Sequence, residues 1–295
     1  MANEVFVPRT ETELFEFLET NAPQSILVSG GTDLVPRVWR GQEKPITLVD
    51  ISRLSALRYI RKERGIVRIG ALCTLSDLTR NPFLARQYEA FKRLGLVFGS
   101  PSVRNLATVG GNLAASSSSE DLIPIFLALD AKVRLNSKAS YREITLEEFI
   151  RGKRRTALRD NELLAEVSFS ELGSRSWCTF DKVGRRERVI ISLVSLACTL
   201  ALKPQSATIV DVRLALNRVR GKTPERALRT EKSLVGNALD DLKLDEACKT
   251  LESELHLTSD FRASAEYRTK VAQNLLRDSL MHCKECIERE GESVV

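Results

Sequence analysis

Two glycine pairs, Gly30-Gly31 and Gly110-Gly111, constrain this chain more than any other feature of it. Glycine tolerates positive φ and lets a ligand approach the backbone closely, so consecutive N–H groups at such a turn can point into one concavity. The first pair follows the apolar run Ile26-Leu-Val-Ser29, read as a strand, and leads into Thr32-Asp33-Leu34. The second, Thr108-Val-Gly110-Gly111-Asn112, precedes an apolar helix that begins at Asp121. Either pair alone reads as a tight turn. Together, flanked by hydroxyl and amide donors, they can clamp a pyrophosphate from both sides, with the Asp121 carboxylate poised for ribose or ribityl hydroxyls. Neither is a Walker loop, since no Gly-Lys-Ser/Thr follows, and neither is the dinucleotide fingerprint Gly-x-Gly-x-x-Gly.

Composition narrows the chemistry. A chain of 295 residues with 43% apolar content builds about two domains, each with a real core. Its net charge of +6 is too slight and too dispersed for a dedicated polyanion binder. The two histidines, His256 and His282, both lie late in the chain, which leaves almost no material for a Ser-His pair or a His-rich metal cage. Six scattered cysteines without signal-peptide architecture after Met1 suggest a reducing cytoplasm rather than a disulfide framework. The longest apolar run, Val189 to Leu202, is too short and too rich in hydroxyls for a membrane span.

Along the chain, Thr10 to Glu13 reads as a capping box opening a helix, Ile46 to Asp50 as a strand, and Tyr59 to Glu63 with Ile66 to Ile69 as a hairpin around Gly65. Thr74-Leu-Ser-Asp77 caps a short helix, and Phe83 to Val97 has helical apolar spacing. Phe98 to Ala115 is a glycine-bearing stretch in which Thr108 to Asn112 reads as a paired-glycine loop, Asp121 to Leu129 reads as a helix, and Lys132 to Leu135 and Glu162 to Phe169 read as strands. The basic polar stretch Arg151 to Arg159 interrupts the pattern, and the domain boundary is placed near residue 175. Beyond it come strands (Thr179 to Val183, Ile190 to Leu202, Ala207 to Leu216), then helices (Pro224 to Val235, Leu239 to Ser253, Arg262 to Arg289). Strands first and helices later argue an α+β fold.

Other candidate sites carry less. Ser116 to Ser119 has no histidine near it and reads as a solvated loop. Cys283-Lys-Glu-Cys286 beside His282 looks like half a metal site without its other half, and reads as an adventitious surface pair, so no metal ligand and no catalytic residue is assigned. The basic segment Lys182 to Arg188 lacks the aromatic interleaving of an RNA-binding face.

Read together, Leu27-Val-Ser-Gly-Gly-Thr-Asp-Leu34, Val103-Arg-Asn-Leu-Ala-Thr-Val-Gly-Gly-Asn-Leu-Ala114, Asp121, Phe126-Leu-Ala-Leu-Asp-Ala131, Glu162-Leu-Leu164, Phe180-Asp-Lys-Val-Gly-Arg-Arg186 and Asp260 to Arg268 resemble the FAD-binding subunit of the molybdenum hydroxylases, the group of xanthine, nicotinate and carbon monoxide dehydrogenases. The resemblance spans nearly the whole chain. It implies a two-lobed FAD-binding domain of the cresol methylhydroxylase type over residues 1–175, with a small lobe to about residue 57 and a larger lobe over 58–175. A C-terminal domain of three antiparallel strands and helices would follow over 176–295. It further implies FAD contacts from Leu27, Val28, Ser29, Gly30, Gly31, Thr32, Asp33 and Leu34, and from Thr108, Val109, Gly110, Gly111 and Asn112, mainly through backbone N–H. Phe98 would pack on the cofactor, Asp121 would take a hydroxyl hydrogen bond, Leu164 would contact adenine-side or ribityl atoms, and Lys182 would lie near the flavin. Relatives commonly carry small residues and a proline where this chain has Ser116 to Ser119 and Glu120.

The implied role is a cytoplasmic, non-covalent FAD subunit of a hetero-oligomer. It would receive electrons from a partner [2Fe-2S] subunit, itself reduced by a molybdopterin subunit, and pass them to NAD⁺ or another acceptor. A self-sufficient flavin oxidase on the same fold is the rival enzyme reading. A basic RNA-binding or scaffold protein is the rival outside enzymes, and a flavin-yellow preparation separates it from both.

Overall fold

The computed structural model describes residues 4–186, 191–204, 206–217 and 224–292. The chain divides into two compact units that interleave along the sequence: residues 1–77, 100–116 and 131–170 form one, and 78–99, 117–130 and 171–295 the other.

The first unit carries two sheets. In a three-stranded parallel sheet Thr47–Asp50 lies between Glu4–Phe6 and Ser25–Val28. Helix Glu11–Asn21 covers it with Leu14, Phe15 and Leu18, which join Val49, Ile51, Leu54 and Leu57 in one cluster. Thr10 caps that helix by accepting from the Glu13 N–H, while the Glu13 carboxylate reaches the Arg9 N–H at 2.8 Å instead of the Thr10 N–H of a closed capping box. A five-stranded antiparallel sheet runs in the order Ile60–Glu63, Ile66–Gly70, Leu163–Ser170, Lys132–Asn136, Tyr141–Thr145.

The second unit is built on the long antiparallel strands Ser176–Gly184, Ser192–Leu202 and Ile209–Asn217, with the two-residue strand Glu225–Arg226 at the edge. Val194, Leu196, Cys198, Leu200 and Leu202 pack with helices Asp241–Glu254 and Ala265–Glu292, and the alternate positions Leu193, Ser195, Ala197 and Thr199 are buried as well. Burial on both faces explains why this strand is a nearly unbroken apolar run. Ile190, expected at its start, Val189 of the longest apolar run, and Glu187 and Arg188 of the basic segment lie outside the described residues.

Other expectations change, and the helix expected from Pro224 begins only at Leu228, after the strand Glu225–Arg226. Helix occupies only Glu89–Val97 of the stretch from Phe83, because the Asn81 carboxamide accepts from the Phe83 and Leu84 N–H groups and holds residues before Glu89 in turns. The glycine-bearing stretch from Phe98 to Ala115 holds two short helices, Pro101–Leu106 and Val109–Ala115, capped by the Ser100 and Thr108 hydroxyls, so the loop expected at Thr108 to Asn112 is a helix start instead. The basic stretch from Arg151 folds into a small antiparallel pair, Ile150–Gly152 with Arg155–Thr156, turned by Gly152 at φ 150 and Arg154 at φ 57. Among the described residues no helix is long and apolar enough to cross a membrane.

Candidate functional site

Strand Ser25–Val28 ends in Ser29, and Gly30, Gly31, Thr32 and Asp33 lead into helix Leu34–Trp39. Gly31 sits at φ 67, the left-handed region that favours glycine. Gly30 lies so close to the carbonyl of Leu106 that a Cβ on it would be 1.8 Å from that oxygen. Among the described residues, no protein acceptor takes the backbone N–H of Gly30, Gly31, Thr32, Asp33 or Leu34. Five successive donors at a partly exposed turn therefore remain for an anion.

The second glycine pair differs from the expectation. Val109 and Gly110 donate to the carbonyls of Cys73 and Ala71, Gly111 to the Thr108 hydroxyl, and Asn112 to the Thr108 carbonyl. These amides are spent inside the protein because the segment is the first turn of a helix docked on residues 71–74 rather than an open loop. Its glycines serve close approach: a Cβ at Gly110 would meet that of Ala71 at 2.8 Å. A Cβ at Gly111 would meet Thr108 Oγ1 at 2.9 Å and Ser29 Oγ at 3.1 Å. Those two hydroxyls share a 2.7 Å hydrogen bond that ties the second glycine segment to the first.

Asp33 caps nothing with its side chain. Burial resists its ionisation, but Arg154, at 2.9 and 3.2 Å, and Arg37, at 3.3 Å, outweigh this and hold its pKa below the usual carboxylate range. The turn is thus pinned by two guanidinium groups, a feature no local sequence signal announces. Leu164 lies in the same unit, 4% exposed and paired with Leu135 across the five-stranded sheet.

Phe98, Asp121 and Lys182 belong to the second unit. Lys182 Nζ donates to Asp121 Oδ2 at 2.5 Å, and both side chains are 2% exposed, a pairing that no spacing along the chain foretells. Neighbouring Asp181 points to the other face of its strand and pairs with Arg93. Phe98, half-buried, ends helix Glu89–Val97 by donating its N–H to the Leu94 carbonyl.

Two further expectations are corrected here. Ser116 is not solvated: fully buried at φ 41, it terminates helix Val109–Ala115 and donates its hydroxyl to the Gly152 carbonyl at 2.9 Å. Cys283 and Cys286 are not a surface pair either, being 0% and 8% exposed on the inner side of the terminal helix.

Residues 1–170 match the family described as the FAD binding domain in molybdopterin dehydrogenase, and residues 179–283 match the CO dehydrogenase flavoprotein C-terminal domain. The chain belongs to the FAD-binding family of the molybdopterin dehydrogenases. The nicotinate dehydrogenase FAD-subunit of Eubacterium barkeri is 31% identical over 93% of this chain and 93% of its own length. The carbon monoxide dehydrogenase medium chain of Afipia carboxidovorans is 29% identical, over 87% and 88%. Among solved structures, reconstituted CO dehydrogenase from Oligotropha carboxidovorans superposes with a TM-score of 0.90 at 27% identity, covering 97% of this chain and 98% of that one.

This molybdopterin-dehydrogenase flavoprotein is therefore an oxidoreductase subunit of the FAD-binding, medium-chain type. The residues present fit the cofactor: an FAD pyrophosphate needs a cluster of donors, and the run from Gly30 to Leu34 offers five without a protein acceptor.

Proposed function

We propose that this chain is the flavin-carrying subunit of a molybdopterin-containing hydroxylase complex. It would take electrons from a [2Fe-2S] partner that a molybdopterin subunit reduces, and deliver them to NAD⁺ in the cytoplasm. The observation that carries the reading is the run of five amides from Gly30 to Leu34, open to an anion at a turn whose shape is held from several sides.

In this reading Gly30 through Leu34 hold the pyrophosphate by backbone N–H, without a lysine. Gly31 supplies the left-handed bend, and Asp33, locked by Arg37 and Arg154, fixes the start of the following helix. The segment Thr108 to Asn112 acts by shape. Gly111 leaves the space beside Ser29 and Thr108 clear, and the hydroxyl bridge sets the spacing of the two glycine segments. Bound FAD would supply the exchange between single-electron and hydride transfer, and the protein contributes binding, orientation and electrostatics. That division of labour accounts for a chain with two histidines and no acid–base constellation in its sequence.

The test is a comparison of ligands on the flavin-free chain. FAD should bind at least about 100-fold more tightly than riboflavin, a difference of about 2.7 kcal/mol, because only FAD carries the pyrophosphate. Equal affinities would remove the amide run from cofactor binding and with it the basis of the reading.

A further inference from the structure

Glu89 opens helix Glu89–Val97, while His282 and Cys286 stand four residues apart, on one face of the terminal helix Ala265–Glu292. Glu89 Oε2 lies 2.6 Å from His282 Nε2, and Cys286 Sγ lies 3.5 Å from that same nitrogen. The three potential ligand atoms are all within 4.8 Å of one another. We propose that Glu89, His282 and Cys286 form a site for one Zn²⁺-class ion that clasps the terminal helix to helix Glu89–Val97.

The convergence on a single nitrogen separates this cluster from a nucleophile relay. A Cys-His-Glu relay places the thiol and the carboxylate on opposite ring nitrogens. Here both meet Nε2, as donors do around one centre. Oxygen, imidazole nitrogen and sulfur together suit a borderline-soft cation rather than Mg²⁺ or Ca²⁺. Tetrahedral zinc with bonds of about 2.0–2.3 Å sets its donors roughly 3.3–3.6 Å apart. The sulfur–nitrogen separation already has that value, and the Glu89 oxygen needs to draw back by less than about 1 Å.

Cations now sit where the metal would be felt. Arg93 Nε is 3.2 Å from Glu89 Oε1, Arg93 Nη2 is 3.4 Å from His282 Nε2, and Arg289 Nη2 is 3.5 Å from Cys286 Sγ. Arg93 also holds Asp181, so it keeps an anionic partner when the ion takes its place. Trp177 Nε1 donates to Glu89 Oε2 at 3.0 Å and orients the carboxylate, the outer support that metal ligands require. The His282 and Glu89 side chains, 25% and 22% exposed, leave an entry path. On binding, the Cys286 thiol gives its proton to solvent and His282 carries its proton on Nδ1. The carboxylate and thiolate then balance the two charges of the ion, and water fills the fourth position.

The full-length, flavin-loaded chain, stripped of metal, is titrated with Zn²⁺ against a chromophoric chelator. About one equivalent should be withdrawn from the chelator, with affinity lowered at least about tenfold in Cys286→Ser and in Glu89→Gln and unchanged in Cys248→Ser. In the unaltered chain, Zn²⁺ should slow alkylation of Cys286, read by mass spectrometry, and leave that of Cys248 as it was; this arm needs no variant to fold. Failure to withdraw Zn²⁺ overturns the proposal, as does Zn²⁺ retained in full by Cys286→Ser or alkylation of Cys286 that Zn²⁺ leaves unchanged.

Discussion

Gly30 and Gly41 carry the same side chain for different reasons, and substitution separates them. At Gly30 a methyl group would be driven against the backbone oxygen of Leu106, which has no soft end to yield. Gly30→Ala should cost roughly 1–3 kcal/mol in urea denaturation and abolish flavin retention, since the turn itself must move. At Gly41 nothing lies within 4 Å of where a methyl group would stand, and only its φ of 70 matters. Gly41→Ala should cost about 1 kcal/mol and keep its flavin. Gly111 lies between these cases, for the atoms a Cβ would meet are the hydroxyl ends of Thr108 and Ser29. Gly111→Val should leave the far-ultraviolet circular dichroism near that of the parent and still lose FAD, because the wider side chain forces the hydroxyl bridge apart. A fully flavinated variant would show that this glycine serves only the turn. The glycine pairs are visible as letters. What makes each necessary is not, because the Leu106 carbonyl and the Ala71 methyl group are brought there by tertiary packing.

Among the elements, the short helix Leu75–Arg80 shows what a local motif contributes. Thr74 Oγ1 accepts from the Asp77 N–H at 3.1 Å, and Asp77 returns the bond to the Thr74 N–H at 2.8 Å while Arg58 holds both its oxygens at 2.9 Å. Burial opposes ionisation of Asp77, but Arg58 and the Thr74 donors outweigh it and lower its pKa. A carboxylate lowered in the folded state stabilises fully above its unfolded value and loses that contribution as pH falls through the folded one. Asp77→Asn should therefore be less stable than the parent by about 1 kcal/mol at neutral pH, with the gap closing below the ordinary value of 3.8. A gap that is constant from neutral pH to pH 3 would assign the loss to shape instead of charge. Motifs of this kind lie within four residues, which is why Thr74 to Asp77 is legible in the sequence. Leu84, Tyr88, Phe91 and Leu94 mislead for the converse reason: all four are buried as helical spacing requires, yet only the last two lie in helix. The strand Tyr141–Thr145 escapes notice because only Ile144 in it is aliphatic, and what fixes it is distant in sequence or on another strand: the pairing with Lys132–Asn136 and the Arg142 bonds to Glu162.

For the whole molecule, the decisive prediction concerns where electrons enter and leave. Family membership is legible because the glycine segments, Asp121 and the Asp260 to Arg268 stretch keep their order along the chain, whereas the acceptor depends on surfaces and subunits that no motif here encodes. If the chain relays electrons and does not itself oxidise an organic substrate, the isolated holo-subunit under anaerobic conditions should be bleached by excess NADH and left oxidised by xanthine or nicotinate. Those substrates should bleach it only after the iron–sulfur and molybdopterin subunits are added back. The expectation has a physical basis in the sequence: the six cysteines are scattered without iron–sulfur spacing, so the chain carries no cluster pattern of its own to bring electrons from such a substrate to the flavin. Direct reduction of the lone subunit by an organic substrate would replace the relay with a self-sufficient oxidase. Bleaching by the reconstituted complex with its substrate, combined with complete inertness to NADH in both the subunit and the complex, would keep the relay and reject NAD⁺ as acceptor. In the proposed binding mode the five open amides at Gly30 to Leu34 would be needed in either case, since there they would hold the cofactor and not set the direction of its electrons.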